Sequence, residues 1–344
     1  MTEFTDSALT LLIKAGKTDD QIMEYVHLNT KPADLYGAVA EVVTQVLHGD
    51  EATLKLIEVN TSSPVKKFMA HITKFFGCNE TLEVIEWWRE LGINRADTKA
   101  IVMTYLYGSS EYGNRDAIQE RIDKRAEEQL EKGLDAYWDR SGADLWKDQR
   151  TIAITVMVRL IRGAMSVVCP STVETMSFIQ TMALILGERD IPMKWKTFLN
   201  FEVCQDNANL TTKIVQCIEK GERVSSLRIR VPVTNGKRYH AKKISAGSAP
   251  NFIHSFDACH LQLVALNVDT NYFHMIHDSM GGQCAHMPQF TVVLRETFCI
   301  MYEDTDVLFD VWMENRGDEL GLPEPKEMGN FDVGLVRKSK YFFH

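Results

Sequence analysis

From Thr151 to Leu186 the chain reads TIAITVMVRLIRGAMSVVCPSTVETMSFIQTMALIL, apolar almost throughout and broken once, at Pro170 followed by Ser171 and Thr172. Proline has no N–H to give to a helix interior, so the pattern predicts two buried helices that meet at that residue. A membrane span is the competing reading. Arg159, Arg162 and Glu174 argue against it, because charges are costly in lipid, and no run of about 18 apolar residues is expected here. Two such helices need a large core around them. With 344 residues, 45% of them hydrophobic and 25% charged, the chain has ordinary globular composition and enough length for two or more lobes. MTEF at the start has no basic segment leading into an apolar one, so no secretory signal is expected, and a cytoplasmic location is.

The rest of the pattern is helical first and extended later. Pro32 to Leu47 starts with proline and places Leu35, Val39, Val42, Val43 and Val46 at helical spacing. Thr98 to Tyr107 predicts another helix, with Gly108 at the left-handed position that ends it. Asp116 to Asp139 mixes both charge signs, as a solvent-exposed helix face does, and is given no function. From Ile191 to Tyr239 short alternating runs predict strands, with Asn235-Gly236 as a hairpin turn signal. Seven scattered cysteines, never spaced as CxxC, predict reduced thiols rather than disulfides or a structural zinc site.

A net charge of −9 runs against a nucleic-acid partner, since phosphate binding needs a basic surface. The charge is unevenly spread, however. Between Arg223 and Lys243 the chain carries Arg228, Arg230, Lys237, Arg238, Lys242 and Lys243 with no acidic residue among them. These six are the candidate nucleic-acid-binding residues, expected on strands and their turn; a solvated hairpin without a partner is the plainer alternative.

Three segments could carry chemistry. Arg95, Lys99, Met103 and Tyr107 recur every fourth residue and would line one helix face over about three turns. Two cations followed by Met and Tyr can hold a triphosphate at one end and stack a base or sugar at the other. The same spacing also fits an amphipathic helix whose Met and Tyr are core and whose cations only reach for water. His277-Asp278-Ser279 follows the apolar run Tyr272 to Ile276, and a carboxylate at the end of a strand suits Mg²⁺ in phosphoryl transfer. One carboxylate is not enough for two metals, and a surface turn is the alternative. His254, Asp257 and His260 stand at helical spacing, but no further nitrogen or sulfur ligand stands at zinc-site spacing.

In this order, Arg95-x3-Lys99-x7-Tyr107-Gly108, then Ala249-Pro250-Asn251-Phe252-Ile253-His254-Ser255-x-Asp257, then Ile276-His277-Asp278-Ser279, the chain resembles the phage and mitochondrial single-subunit RNA polymerases. The similarity extends to Val26-His27-Leu28-Asn29, Asp34-Leu35-Tyr36-Gly37, Val307-Leu308, Gly329-Asn330 and the aromatic Tyr341, Phe342 and Phe343. It implies an α+β, right-hand polymerase fold, with a largely helical fingers lobe and part of an antiparallel-sheet palm. The domains implied are 1–29, partial palm and partner interface; 30–251, fingers; and 252–344, palm with the C-terminal tail. Nucleotide-binding residues would be Arg95, Lys99, Met103, Tyr107, Gly108 and His254, with Tyr107 helping to tell ribose from deoxyribose. Lys99, Tyr107, His277 and Asp278 would be catalytic, with Asp278 a metal ligand. The cofactor implied is Mg²⁺, two ions shared with a partner carboxylate.

Two departures from the family pattern shape the expectation. Ala100 stands where the family has a basic residue beside the helix lysine. Counting back from Val26-His27-Leu28-Asn29 puts the first catalytic aspartate motif at or before Met1, and Asp6 lacks the Gly and Gln that accompany it. The thumb, N-terminal region and first palm aspartate are therefore expected on a second polymerase subunit. DNA template, nascent RNA and nucleoside triphosphates are the other partners, with no membrane, in the host bacterial cytoplasm if the chain is phage-encoded. The alternatives are an inactive polymerase-like transcription scaffold and a fragment of a related DNA polymerase. Met103, where that second family prefers a bulky aromatic, and Ser279 after Asp278 favour RNA synthesis.

Overall fold

A computed structural model describes residues 34–60, 62–132, 143–220, 222–234, 236–276, 279–339 and 342. The expectations for residues 1–29, for His277 and Asp278 and for Tyr341 and Phe343 lie outside these. The chain forms two compact units, one ending at Glu174 and one starting at Thr175.

The first unit is helical: α1 (Leu35–His48), α2 (Glu51–Val59), α3 (Ser63–Phe76), α4 (Asn79–Leu91), α5 (Arg95–Leu106), α6 (Glu111–Glu131) and α7 (Ala143–Val168). Helix α7 is its axis and packs against α1, α3, α4, α5 and α6. Met157, Val158, Ile161, Ala164 and Met165 on α7 are fully buried, which is why the run is so apolar. Gly163 is required there: a Cβ on it would come 2.0 Å from the Phe68 ring of α3. By length and composition alone, Gln149–Val168 is apolar enough to cross a membrane, which corrects the expectation that no such run exists. Its packing within the unit accounts for that composition.

Helix α6 has a buried face besides its charged one. It starts at Glu111, and its face of Asn114, Ile118, Ile122 and Ala126, every fourth residue, is buried. Mixed charges on the other faces conceal this stripe in the sequence; the predicted extension to Asp139 lies largely outside the described residues.

Helix α8 (Pro170–Glu188) begins at the predicted break and leads into the second unit. There follow β1 (Met193–Lys196), β2 (Glu202–Gln205), β3 (Leu210–Glu219), β4 (Glu222–Pro232), α9 (Ala241–Asn267), β5 (Phe273–Ile276), β6 (Ser279–Gly282), α10 (Met287–Tyr302), α11 (Val307–Glu314) and α12 (Gly317–Leu320). The strands pair antiparallel as β1–β2, β3–β4 and β5–β6, so the α+β expectation holds. The core gathers Met182, Leu186, Trp195, Ile244, Phe252, Phe256, Met301 and Trp312 from helices and β1.

The hairpin turn is misplaced in the sequence reading. Pairing runs from Leu210↔Pro232 to Glu219↔Glu222, so the chain reverses between Glu219 and Glu222, and Asn235-Gly236 comes after the ribbon instead of closing it. Gly236, at φ 124°, redirects the chain toward the Ala208↔Tyr239 bridge and α9. Asn-Gly makes a hairpin only when a strand comes next, and here α9 follows; Asn235 itself lies outside the described residues. Lys242 and Lys243 accordingly stand in the first turn of α9 rather than on strands.

Candidate functional site

The face of α5 is built from its ends inward. At the N-terminus Asn94 Oδ1 accepts from the Ala96 N–H at 2.9 Å, and Asp97 Oδ2 accepts from the Asn94 N–H at 3.0 Å, a reciprocal capping box. Asp97 is 1% exposed and takes two further donors from α6: Arg121 Nε at 3.1 Å and Arg125 Nη1 at 2.7 Å. Arg125 also donates to the carbonyls of Gly92 and Leu91, at 3.0 and 2.9 Å, closing the end of α4.

At the C-terminus, Gly108 takes φ 77°, and the Gly108 and Ser109 N–H groups donate back to the Tyr105 and Thr104 carbonyls. This is the left-handed helix end predicted from the glycine. Arg162 of α7 locks it by donating to the Ser109 carbonyl at 2.8 Å and to Asn114 Oδ1 at 2.6 Å. The Arg162 guanidinium lies 4.5 Å from the Tyr105 ring centroid. Burial raises the Tyr105 hydroxyl pKa, with Arg162 opposing, and burial lowers that of Arg162. Nearby Glu111 is raised by burial, but hydrogen bonds and charges from Arg115 and Arg159 prevail and hold its carboxyl below the usual range.

Between these fixed ends, Ile101, Val102 and Tyr105 face the core, and Arg95, Lys99, Met103 and Tyr107 face outward. Met103 is 44% and Tyr107 42% exposed, which removes the reading in which both are core. Tyr36 of α1 lies beneath the two cations: Arg95 Cζ is 5.1 Å and Lys99 Nζ 6.0 Å from its ring centroid. Thr98 Oγ1 donates to the Tyr36 carbonyl at 2.8 Å and ties the two helices together.

In the second unit, His254 and Asp257 are exposed on α9, while Phe252, Phe256, Cys259 and His260 form its buried side. His260 Nε2–H donates to the Leu294 carbonyl at 2.9 Å, and burial lowers its pKa despite that bond. With His254 outward and His260 inward, the two imidazoles do not converge. Among the described residues no three His, Cys, Asp or Glu side chains could hold a metal ion. Ile276 pairs with Ser279 in the β5–β6 ribbon, and His277 and Asp278 lie outside the described residues. Gly281 lets that ribbon close over His274, whose ring a Cβ would meet at 2.2 Å.

The basic residues divide among three places. Arg228 and Arg230 are exposed on β4, opposite Ile214 and Thr212, so they share one ribbon face. Lys237 donates to the Glu188 carbonyl at 2.6 Å, and Arg238 lies over Tyr239, both in the connection to α9. Lys242 and Lys243 are exposed on α9 itself. Sequence reasoning missed Asp97, Arg121, Arg125, Asn114 and Arg162, which fix α5 without facing outward. Asn94-x2-Asp97 carries a legible capping signal; the others have none.

The profile of the DNA-dependent RNA polymerase family matches residues 19–317. The chain is 28% identical over 332 residues to the DNA-directed RNA polymerase of Enterobacteria phage T3, covering 90% of this chain and 36% of that protein. To the T7 RNA polymerase of Escherichia phage T7 it is 26% identical over 340 residues, with the same two shares, 90% and 36%. To the mitochondrial DNA-directed RNA polymerase 1B of Nicotiana tabacum it is 25% identical over 321 residues, 91% of this chain and 27% of the relative. The chain thus spans about a third of the length of the relatives it matches.

Proposed function

This chain belongs to the DNA-dependent RNA polymerase family, matching the C-terminal part of its phage-type single-subunit members, and from that membership we propose that it is one subunit of a two-chain RNA polymerase. Residues 1–29 would form part of the palm and the partner interface, 30–251 the fingers and 252–344 the rest of the palm. The reaction is attack of an RNA 3′-hydroxyl on the α-phosphate of a ribonucleoside triphosphate, with pyrophosphate leaving. The observation that carries this reading is the outward α5 face of Arg95, Lys99, Met103 and Tyr107, held at both ends by buried polar groups.

In this reading Arg95 and Lys99 bind the triphosphate, Arg as a planar fork and Lys as a point charge. Met103 and Tyr107 contact the base and sugar, Gly108 ends the helix beside them, and His254 lies against the substrate sugar. Mg²⁺ held by Asp278 and a carboxylate of the second polypeptide would supply charge stabilisation on the phosphates. His277 stands beside that aspartate in sequence. Arg228, Arg230, Lys237, Arg238, Lys242 and Lys243 line the path of template and product by charge.

Primed RNA extension with Mg²⁺ and four ribonucleotides tests the proposal, using the chain alone and the chain with a co-purifying second polypeptide. Extension only in the mixture is expected, and Asp278→Ala should abolish it while leaving the thermal melt unchanged. Extension by the chain alone would overturn the split. Wild-type extension by Asp278→Ala would remove the metal assignment, and inactivity of both preparations would favour a transcription scaffold.

A further inference from the structure

Asp34 is the N-cap residue of α1, a position where an aspartate ordinarily accepts from the first free N–H groups of its own helix. Here its side chain makes no such bond. Its Oδ2 accepts instead from Arg95 Nε at 2.7 Å, across 61 residues of sequence. The local arrangement makes room for this choice. A Cβ on Gly37 would come 2.9 Å from Asp34 Oδ2, so the glycine of Asp34-Leu35-Tyr36-Gly37 leaves the carboxylate its position.

The contact uses the Nε edge of the guanidinium, whereas phosphate oxygens are best met by a two-pronged edge that includes the terminal nitrogens. With Nε on Asp34 and the guanidinium 5.1 Å from the Tyr36 ring centroid, both the direction and the plane of the fork are set. We infer that Asp34 and Tyr36 are positioning residues of the α5 site, pre-aligning Arg95 so that its terminal nitrogens meet the triphosphate of an incoming nucleotide. The inference rests on the reading of α5 as a phosphate-holding face. Orientation matters the more in this chain because Ala100, beside Lys99, offers no further cation. Arg95 is 56% and Asp34 34% exposed, so the gain is one of alignment at a wet surface rather than of stability.

Equilibrium titration of the full chain with MgATP reads this directly. Asp34→Ala should weaken binding about threefold to fivefold, the scale of an exposed ion pair, while Asp34→Asn, which keeps an acceptor for Nε, should stay within about twofold of wild type. In an Arg95→Ala background, Asp34→Ala should have no further effect, a coupling that a merely structural role of Asp34 would not produce. Tyr36→Phe should bind as wild type and Tyr36→Leu about twofold more weakly, as loss of an exposed cation–π contact requires. Equal or tighter binding by Asp34→Ala would mean that the carboxylate is idle or competes with phosphate, and an equal loss in both backgrounds would make it structural; either result overturns the inference. Lys99→Ala separates the two levels. If it leaves affinity unchanged, or if wild type does not bind, the nucleotide reading of α5 falls and takes this inference with it; if it weakens binding and Asp34→Ala does not, only the positioning role falls.

Discussion

Helix α5 and helix α9 each turn candidate substrate-facing groups outward, but what lies behind them differs in kind. Behind α5 are buried charges: Asp97 between Arg121 and Arg125 at one end, and Arg162 with Asn114 at the other. Behind α9 are rings: Phe252 sits 5.9 Å from Trp195 and 4.9 Å from Phe256, and the Trp195 indole N–H donates to Ser255 Oγ. The β3–β4 ribbon is a third case. Ile214, Ile218 and Leu227 are each more than half exposed, so that its cations rest on little beyond the paired strand. Buried hydrogen-bonded charges have few satisfactory arrangements, so they fix a helix end in one place. Apolar contacts tolerate small rearrangements, and an exposed ribbon supplies charge without fixing its direction.

The sharpest way to break this comparison is Asp97→Ala. It leaves Arg121 and Arg125, 20% and 11% exposed, without their shared anion. Removing one partner of a buried ion pair costs about 3–5 kcal/mol, far more than an exposed pair is worth. Chemical unfolding of the chain followed by tryptophan fluorescence should show that loss in the phase that reports Trp87 and Trp88. A loss under about 1 kcal/mol, the range of surface pairs, would mean that neither the arginine pairs nor Asp97's half of the capping box holds α5 in place.

These supports explain what could be read in advance and what could not. Arg95, Lys99, Met103, Tyr107 and Gly108 were legible because a helix repeats every 3.6 residues and glycine ends it without strain. The two-helix core at Pro170 was legible for the same local reason. Asp97, by contrast, reads in sequence only as a cap, since its arginine partners lie 24 and 28 residues away on α6. Their positions depend on which face of α6 is buried, and its surface charges hide that face. Asp34 and Tyr36 entered only as part of a shared motif, because their partner Arg95 is reached through tertiary packing. The ribbon turn was misread because Asn-Gly marks a change of direction without fixing whether a strand or a helix succeeds it. For Asp97, Asp34 and Tyr36 the missing information was the identity of a distant partner.

The ribbon tests the opposite end of the comparison. Replacing Arg228 or Arg230 by alanine should leave unfolding within about 0.5 kcal/mol of wild type, as for exposed positions generally. Each should instead weaken binding to a template–product duplex uniformly across sequences and lower the slope of log affinity against log salt by about 1. Fluorescence anisotropy of a labelled duplex over a salt series measures this. A change confined to one duplex sequence would make these arginines readers of bases rather than general phosphate contacts, and an unchanged slope would leave the ribbon without a role in binding.

The smallest effect concerns acid, and it separates the two kinds of support by pH. His260 lies behind α9, 7% exposed, edge-on to Phe298 at 5.7 Å, and burial lowers its pKa from the ordinary 6.5. The unfolded chain therefore takes up a proton more readily than the folded one. His260's contribution is fully present above about pH 6.5 and declines as pH falls from there toward its lowered folded value. His71 on α3 shifts the same way, through burial first and then Arg159 and the lysines near it, but it is partly open to solvent and its share is screened. Glu111 near the end of α5 behaves oppositely. Its folded pKa lies below the ordinary 4.5, so its contribution holds above that pH and is lost as pH falls through the carboxylate range. Thermal melts between pH 7.5 and about 5 should thus weaken the unit around α9 before the carboxylates near α5 begin to respond. His260→Gln should flatten that early slope while leaving the acid limb near Glu111 in place. A slope that survives the substitution would assign the early loss to His71, and the unit with buried charges would prove the more sensitive of the two to mild acid.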